Sequence, residues 1–567
     1  MNTISGSEAL IRSLLAEGVD TLFGYPGGQI MPVFDALYDY REQLKHVLVR
    51  HEQGALHAAQ GYARVSGKPG VVIVTSGPGA TNAITGIADA MIDSTPLVVI
   101  TGQVPNALLG TDAFQETDVL GITLPITKWS YQIRNAEDIP AAVARAFYIA
   151  RSGRPGPVVL DLPKTAQLGT IDFEYKPCTY IRSYAPHPLI DTESLRKAAD
   201  LINSARKPFL IFGQGILLSH AENALRAFLE KTDIPAAATL LGLSALPSDF
   251  SLYKGMVGMH GNLGPNKKTN ECDVLIAIGM RFDDRVTSDV STYARQARVI
   301  HIDIDPSEIG KNIAVEVGVL GDAREVLEAL MQLVEPNNHA AWGCEFDACN
   351  AVEEERVIMP EINPDSSQLT MGEVVARISD ATAHNAVIVT DVGQNQMMGA
   401  RYSRFTDTRS LITSGGLGTM GFGLPAAIGA KIAAPERTVC FFTGDGGIQM
   451  TLQELGTIMQ ENTGVKMIVL NNSRLGMVRQ WQELFFNERY SETTMVNPDF
   501  VMLAAAYGIP GKRVCERADL AEAITEMLAD DRPYLLEVAV EEKGMVFPMI
   551  PGGKCVDKMM LNTNEWY

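Results

Sequence analysis

No stretch of the sequence approaches the ~18 to 20 consecutive apolar residues of a membrane span; its longest apolar runs, such as residues 71–74 and 97–100, are strand-length. No membrane association is expected. Cysteine is scarce and scattered: seven residues at 178, 272, 344, 349, 440, 515 and 555, without a C-x-x-C pair, argue against a disulfide framework or a zinc site and are read as reduced thiols. The opening Met1-Asn2-Thr3-Ile4-Ser5-Gly6-Ser7-Glu8 lacks both the basic and apolar regions of a secretory signal and the Arg-rich character of a transit peptide, so a cytoplasmic location is the expectation. Positive charge is also short. With 47 basic against 67 acidic side chains the formal charge is −20, a field that repels nucleic acid and anionic membranes. Any anionic ligand must then be held by a local site.

What the chain does have is length. Its 567 residues, 46% apolar and 20% charged, are globular in composition and exclude disorder, collagen-like repeats and a coiled coil as the main architecture. A prior of roughly 100–200 residues per domain gives about three or four domains. Three blocks, residues 1–170, 186–335 and 369–567, alternate short β-rich runs with amphipathic helical stretches, the pattern of parallel α/β sheets. Between them, residues 164–190 (Pro177, Pro186, Pro188) and 335–368 (Pro336, Pro360, Pro364 and the run Glu353-Glu354-Glu355) read as linkers, the second with room for a short helix over 351–357. The outer blocks echo one another: a strand, a Gly turn, a helix and a strand occur at 71–100 and again at 439–470.

The second copy carries chemistry that the first lacks. Gly444-Asp445-Gly446 is followed, 24 residues on, by Asn471-Asn472. With Gly464 expected to stop the intervening helix, Asp445 and Asn472 fall just past the carboxyl ends of successive parallel strands, where open α/β sheets bind ligands. A carboxylate and an amide carbonyl there suit Mg²⁺, which takes one or two such ligands and leaves its other positions to phosphate and water. Gly446 and Gly447 let backbone N–H groups approach anionic oxygens.

A competing fingerprint lies upstream. Gly416-Leu417-Gly418-Thr419-Met420-Gly421 matches the G-x-G-x-x-G dinucleotide pattern, but the preceding 410–414 is a marginal strand and no acid stands about 20 residues later at a strand end. The dehydrogenase it would imply is disfavoured.

The GDG and NN pair at this spacing resembles the signature of enzymes that bind thiamine diphosphate (ThDP) through Mg²⁺, and the resemblance implies Asp445, Asn472 and Arg474 as metal positions. In that family one carboxylate hydrogen-bonds the aminopyrimidine and promotes proton removal through the cofactor, and Arg50-His51-Glu52-Gln53-Gly54-Ala55 matches its string, which makes Glu52 that carboxylate. The pyrimidine then belongs to the first block and the diphosphate to the third; in the resembling enzymes these come from different subunits, so a homodimer or dimer of dimers is implied. Val392, Gln394, Asn395, Gly418, Met420, Gly444, Gly446, Gly447 and Gly476 carry over as cofactor contacts. Asn395 stands where the family usually has His.

Over nearly the whole length the sequence is similar to the FAD-containing, anabolic acetolactate synthase (acetohydroxyacid synthase) catalytic subunits. The strings that carry this are FGYPGG from Phe23, TSGPGATN from Thr75, GTDAFQE from Gly110, GRPGPVVLDLPK from Gly153, GMHG from Gly258, RFDDR from Arg281 and GMVRQW from Gly476. The resemblance implies three α/β domains, the pyrimidine and diphosphate domains flanking a Rossmann-like FAD domain, and a decarboxylating condensation of pyruvate with pyruvate or 2-oxobutanoate. It places FAD, which does no net redox chemistry there, at Arg154, Gly213, Gly215, Thr239, Leu240, Met259, His260, Gly279, Arg281, Asp283, Asp303, Ile304, Asp322 and Ala323. Arg285 becomes the clamp for a substrate carboxylate, with Gly28, Phe114, Gln115, Lys164, Met477 and Trp481 along the access channel. A separate small regulatory subunit is common in the family. Gln29 and Gly86 depart from its usual pattern near the channel where inhibitors act. Catabolic acetolactate synthases lack the RFDDR string, glyoxylate carboligase lacks the carboxylate that Glu52 supplies, and pyruvate oxidase shares the cofactors but would reduce its flavin.

Overall fold

A computed structural model describes residues 3–567. Valine, isoleucine and leucine runs that read as buried strands form three six-stranded sheets, parallel throughout. The first comprises β1 (Thr21–Gly24), β2 (Lys45–Leu48), β3 (Gly70–Val74), β4 (Leu97–Gln103), β5 (Trp129–Gln132) and β6 (Pro157–Pro163), in the order β2-β1-β3-β4-β6-β5. The middle sheet comprises β7 (Pro208–Phe212), β8 (Ala236–Ala238), β9 (Tyr253–Met256), β10 (Val274–Ile278), β11 (Arg298–Asp303) and β12 (Val317–Leu320). Its order, β9-β8-β7-β10-β11-β12, is that of a doubly wound dinucleotide fold. The last comprises β13 (Val387–Thr390), β14 (Leu411–Ile412), β15 (Val439–Gly444), β16 (Val465–Asn471), β17 (Gly511–Val514) and β18 (Tyr534–Ala539). Its order, β14-β13-β15-β16-β18-β17, repeats that of the first sheet, so the echo in the sequence is an echo of topology.

Two helices join the outer sheets. In the first block α1 (Glu52–Ser66) follows β2, and α2 (Ile84–Ile92) precedes β4. Helix α1 packs along a helix of the third block, Gly423–Ala433, through small side chains that let the backbones touch. A Cβ at Gly61 would lie 2.0 Å from the carbonyl oxygen of Ala426, and one at Gly429 would lie 1.8 Å from that of Ala58. The contact is reciprocal, and neither position has room for a side chain.

Both stretches read as linkers are partly built. Lys164–Leu168 is helical, and Thr170–Asp172 pairs antiparallel with Thr3–Ser5 because Ile171 and Ile4 face each other across the ribbon and are both buried. The second stretch holds a 14-residue helix, α3 (Ala340–Glu353), continued by a π-helical turn over Glu354–Ile358 and by Met359–Ile362. Trp342, Phe346 and Cys349 form one apolar stripe that enters the core of the middle block, and Trp342 Nε1 donates to the Pro208 carbonyl at 2.8 Å. The Glu run is not a solvated face at its start: Glu353 is buried and paired with the buried Arg401. The helix ahead of β16 also ends differently from the expectation, with Asn462 in the left-handed region at φ 49°, while Gly464 packs against the Asp531 carbonyl.

Gly429→Ala should destabilise the chain by about 1–3 kcal/mol, because the added methyl meets backbone rather than a movable side chain. Gly343→Ala, in α3 with only Lys254 Cε at 3.9 Å, should be neutral or stabilise by up to about 1 kcal/mol through helix propensity. Thermal melts of the two variants beside the parent check the contrast.

Candidate active site

Strands β15 and β16 are hydrogen-bonded neighbours, Gly444 opposite Leu470, so Asp445 and Asn472 emerge together at the carboxyl edge of the last sheet. Asp445 is 1% exposed. Burial pushes its carboxyl above the ordinary range, opposed by Asn497, whose Nδ2 donates to Oδ2 at 2.6 Å. Asn472 Oδ1 accepts from the Arg474 backbone N–H at 3.1 Å, and its Nδ2 donates to Gln394 Oε1 at 3.2 Å. Gln394 is tied in turn to the Gly544 carbonyl and to Gln480. The Arg474 guanidinium pairs with Glu542 and has no acceptor, so only the backbone oxygen of Arg474 could face a cation.

Among the described residues no group of three or more His, Cys, Asp or Glu is arranged to hold a metal. One carboxylate with amide and backbone oxygens is instead the donor set of a hard ion that keeps positions for phosphate. The fit extends to the turn beyond: a Cβ at Gly446 would come 2.8 Å from Leu475, at Gly447 3.0 Å from Asp391, and at Gly476 2.0 Å from Gln394 Oε1. Beside Gly444, the buried Asn395 leaves its Oδ1 without a partner.

Asp391 lies beneath this edge, fully buried. Its carboxylate accepts from the N–H groups of Val392 at 2.7 Å and Gly421 at 2.9 Å. Burial pushes its pKa up to about 6, which leaves it ionised at neutral pH. Two turns thus share one acceptor, 391–394 and 418–423, and the Gly446-Gly447 turn packs against it. Val392, Gly418 and Met420 line a cavity of about 890 Å³ together with Met477 and Trp481. Trp481 is half-buried, tilted against Phe485 at 5.0 Å, and belongs to no apolar core cluster.

The other wall of that cavity is the carboxyl edge of the middle sheet. Thr239, Leu240, Met259, His260, Gly279, Arg281, Asp283, Arg285, Asp303, Ile304, Asp322, Ala323, Gly215 and Arg154 all face it. Gly213 does not; a Cβ there would lie 2.4 Å from the Gly279 carbonyl, so it serves the packing of the β7 and β10 turns. Arg154 is already committed, to Glu308 at 2.9 Å, Asp305 at 3.1 Å and Ser94 Oγ at 2.9 Å. Arg281 and Arg285 hold only loose pairs, each at 3.4 Å, and are two cations on this wall able to meet an anionic ligand. Buried His260 has neither ring nitrogen partnered, and burial pushes its imidazole down to about 3. Orphaned polar atoms, loose arginines and close-packed glycines fit a nucleotide-sized group.

Glu52 does not line this cavity. It opens α1, half-buried, and accepts from Asn82 Nδ2 at 3.0 Å. Gln115, at φ 63°, sits against Gly77; Lys164 Nζ reaches the Gly28 carbonyl at 3.4 Å; Phe114 is 85% exposed. These first-block residues form a separate group at the carboxyl edge of their own sheet. Sequence reasoning missed the carboxylate that seats this group from the third block: Glu454 Oε1 accepts from His51 N at 3.0 Å and Arg50 N at 3.1 Å, and Oε2 from Thr457 Oγ1 at 2.6 Å. It also missed Asp391 and Asn497. Asp391 had a signal, an acid at a strand end before a Gly turn, whereas Glu454 and Asn497 act across distances that no local pattern encodes.

Two like-built outer sheets, a metal-type turn on one and a conserved-order nucleotide sheet between them define a thiamine pyrophosphate enzyme. The family models agree: the N-terminal TPP binding domain of thiamine pyrophosphate enzymes matches residues 4–122, the central domain 195–330 and the C-terminal TPP binding domain 391–538. The acetolactate synthase isozyme 2 large subunit of Escherichia coli (strain K12) is 47% identical over 98% of this chain and 99% of its own. The acetolactate synthase large subunit of Lactococcus lactis is 45% identical over 98% and 96%, and that of Mycobacterium tuberculosis 44% over 99% and 92%. The chain belongs to the acetolactate synthase large-subunit family.

Asp445→Ala should keep the fold and raise the Mg²⁺ concentration needed for ThDP binding by more than the roughly 10–100-fold that loss of an outer-shell partner costs. Titration of tryptophan emission with ThDP at several Mg²⁺ concentrations measures it; an unchanged Mg²⁺ requirement places the metal elsewhere.

Proposed function

We propose that this chain is an acetolactate synthase catalytic subunit, condensing pyruvate with a second pyruvate or with 2-oxobutanoate, with loss of CO₂, to give 2-acetolactate or 2-aceto-2-hydroxybutanoate in branched-chain amino acid biosynthesis. The observation that carries this reading is 44–47% identity over nearly the full length of named acetolactate synthases. Retention of Glu52, Asp445 and Asn472 supports it.

When bound, ThDP supplies the nucleophilic carbon and the electron sink for decarboxylation. Asp445, Asn472 and the Arg474 carbonyl would hold the Mg²⁺ of its diphosphate, and the backbone at Gly446 and Gly447 would meet the phosphate oxygens. Gly418 and Met420 orient the ring system. Glu52 exchanges a proton at the pyrimidine nitrogen. The middle-sheet wall, with Arg281 and the turns at Gly215 and Gly279, would hold FAD. Arg285, half-free and on the cavity wall, pairs with the carboxylate of the second oxo acid, while Trp481 faces its alkyl group. Glu52 with its neighbours Gly28, Gln115 and Lys164 does not line the cavity that Met420 lines, which supports a site completed by Glu52 of a second copy, in a homodimer or dimer of dimers. The relatives' designation as large subunits supports a separate small subunit. Among the described residues no helix is long and apolar enough to cross a membrane, which fits a cytoplasmic site of action.

The test is to incubate the purified chain with pyruvate, ThDP, Mg²⁺ and FAD and identify the product: acetolactate with an unbleached flavin is expected, and acetate or acetyl phosphate with a reduced flavin overturns the reading. Glu52→Gln should keep metal and cofactor binding and lower turnover by about 10²–10⁴. Steady-state rates at saturating ThDP decide it. Trp481→Leu should keep acetolactate formation while the preference for 2-oxobutanoate over pyruvate falls severalfold, since one methylene in a shaped pocket is worth ~1 to 3 kcal/mol. A mixed-substrate competition reads the product ratio; an unchanged ratio with a large drop in melting temperature would mean that Trp481 only packs.

A further inference from the structure

Helix α2 ends in an arrangement that isolated physics disfavours. Asp89 and Asp93 stand four residues apart on one face, both buried, at the carboxyl end of the helix. Like charges at this spacing repel, the negative end of the helix dipole repels both, and burial penalises each. Burial and the neighbouring Asp89 push the Asp93 carboxyl up accordingly, against the pull of Arg64.

Most of what holds the pair is not in its own domain. Asp93 Oδ1 accepts from Gly416 N at 2.7 Å and Oδ2 from Gly415 N at 2.9 Å, while Arg64 Nη2 lies 2.8 Å from Oδ2. Asp89 Oδ1 accepts from Thr419 Oγ1 at 2.8 Å and from the Ser414 hydroxyl, which itself receives the Thr419 N–H at 2.9 Å. Arg64 also donates from Nη1 to the Thr413 carbonyl. Apart from Arg64, every one of these partners lies in residues 413–419, the glycine-rich approach to Gly418 and Met420. With Gly421 N given to Asp391, the first and last glycine amides of the G-x-G-x-x-G string, Gly416 and Gly421, are committed to carboxylates.

The arrangement adjoins the cavity without occupying it. Ile92 and Ser94 on one side and Ser414, Gly415, Gly416 and Gly418 on the other line it, whereas Asp89, Asp93 and Thr419 do not. The pair therefore cannot touch a ligand directly; it can only set the path of the backbone that does.

We propose that Asp89 and Asp93, with Arg64, are positioning residues for the thiamine cradle: the first domain holds the 413–419 segment of its own chain in the conformation that presents Gly418 and Met420. This rests on the ThDP reading above. A bound cofactor meets only the fraction of molecules in which the segment is so held, and its apparent dissociation constant rises as that fraction falls. The charge penalties at the end of α2 are kept because two backbone N–H groups, two hydroxyls and a guanidinium offset them only when the segment is in place.

The test uses the full chain with Mg²⁺ fixed, reading ThDP binding by tryptophan emission, without turnover. Asp89→Ala should raise the ThDP half-saturation at least about tenfold, the weight of hydrogen bonds to a charged acceptor, while Asp89→Asn, whose amide oxygen still accepts both hydroxyls, stays within about threefold. Thr419→Val removes one hydroxyl bond with little change of shape, should weaken binding severalfold, and carries the test if Asp89→Ala does not fold. The pyruvate KM, measured at saturating ThDP, should not move. Lower melting temperatures in Asp89→Ala and Thr419→Val with an unchanged ThDP half-saturation would overturn the proposal and leave the pair as domain glue. Failure of the parent chain to bind ThDP would overturn both the proposal and the function it rests on, so the two failures are told apart by the parent alone.

Discussion

Turns gathered at the carboxyl edges of parallel strands expose backbone N–H groups that no ladder satisfies, and once domains close over them water cannot satisfy them either. In this chain buried carboxylates take up those groups at each seam. Asp93 receives Gly415 and Gly416, Asp391 receives Val392 and Gly421, Glu454 receives Arg50 and His51, and Glu353 receives Leu263. Each acid belongs to a different element from at least one of the turns it serves. The placement of the first block against the third depends on Asp93 and Glu454 being present as acceptors, and the path of the turns lining the cavity depends on Asp391.

This economy explains the distribution of charge. The acidic excess is not all surface: part of it is internal, facing backbone amides, with a cation alongside only at Asp93 and Glu353 among the four named. The arginines that remain on the cavity wall are correspondingly informative. Arg154 is consumed by Asp305 and Glu308, and Arg401 by Glu353, so a ligand entering a protein of charge −20 finds Arg281 and Arg285 as its loosely held cations there. A site for phosphates and carboxylates in such a field must be made locally, by a metal position at Asp445 and Asn472 and by these two side chains.

The parallel three-sheet architecture was legible because its strands are continuous apolar runs and its turns carry Gly at strand ends. The metal-type turn was legible for the same reason: Asp445 and Asn472 are fixed by two adjacent strands of known length. The helix α3 was obscured by the prolines and asparagines flanking it and by the Glu run at its end, although Trp342, Phe346 and Cys349 keep helical spacing. The positioning acids were illegible for a different reason. Asp89 and Glu454 look like any acid near a helix end or turn, and their partners lie hundreds of residues away, in the block on the other side of the contact between α1 and Gly423–Ala433.

That reciprocal contact also has a history within each round of synthesis. The face of α1 that meets Gly423–Ala433 is made of small apolar residues, and its covering helix is translated roughly 360 residues later, a wait of roughly 20–70 s at ordinary elongation rates. For that interval the first sheet is complete on the ribosome with one face bare. The outer face of α1 waits that long for its covering helix, so the seam between the first and third sheets can close only at the end of synthesis.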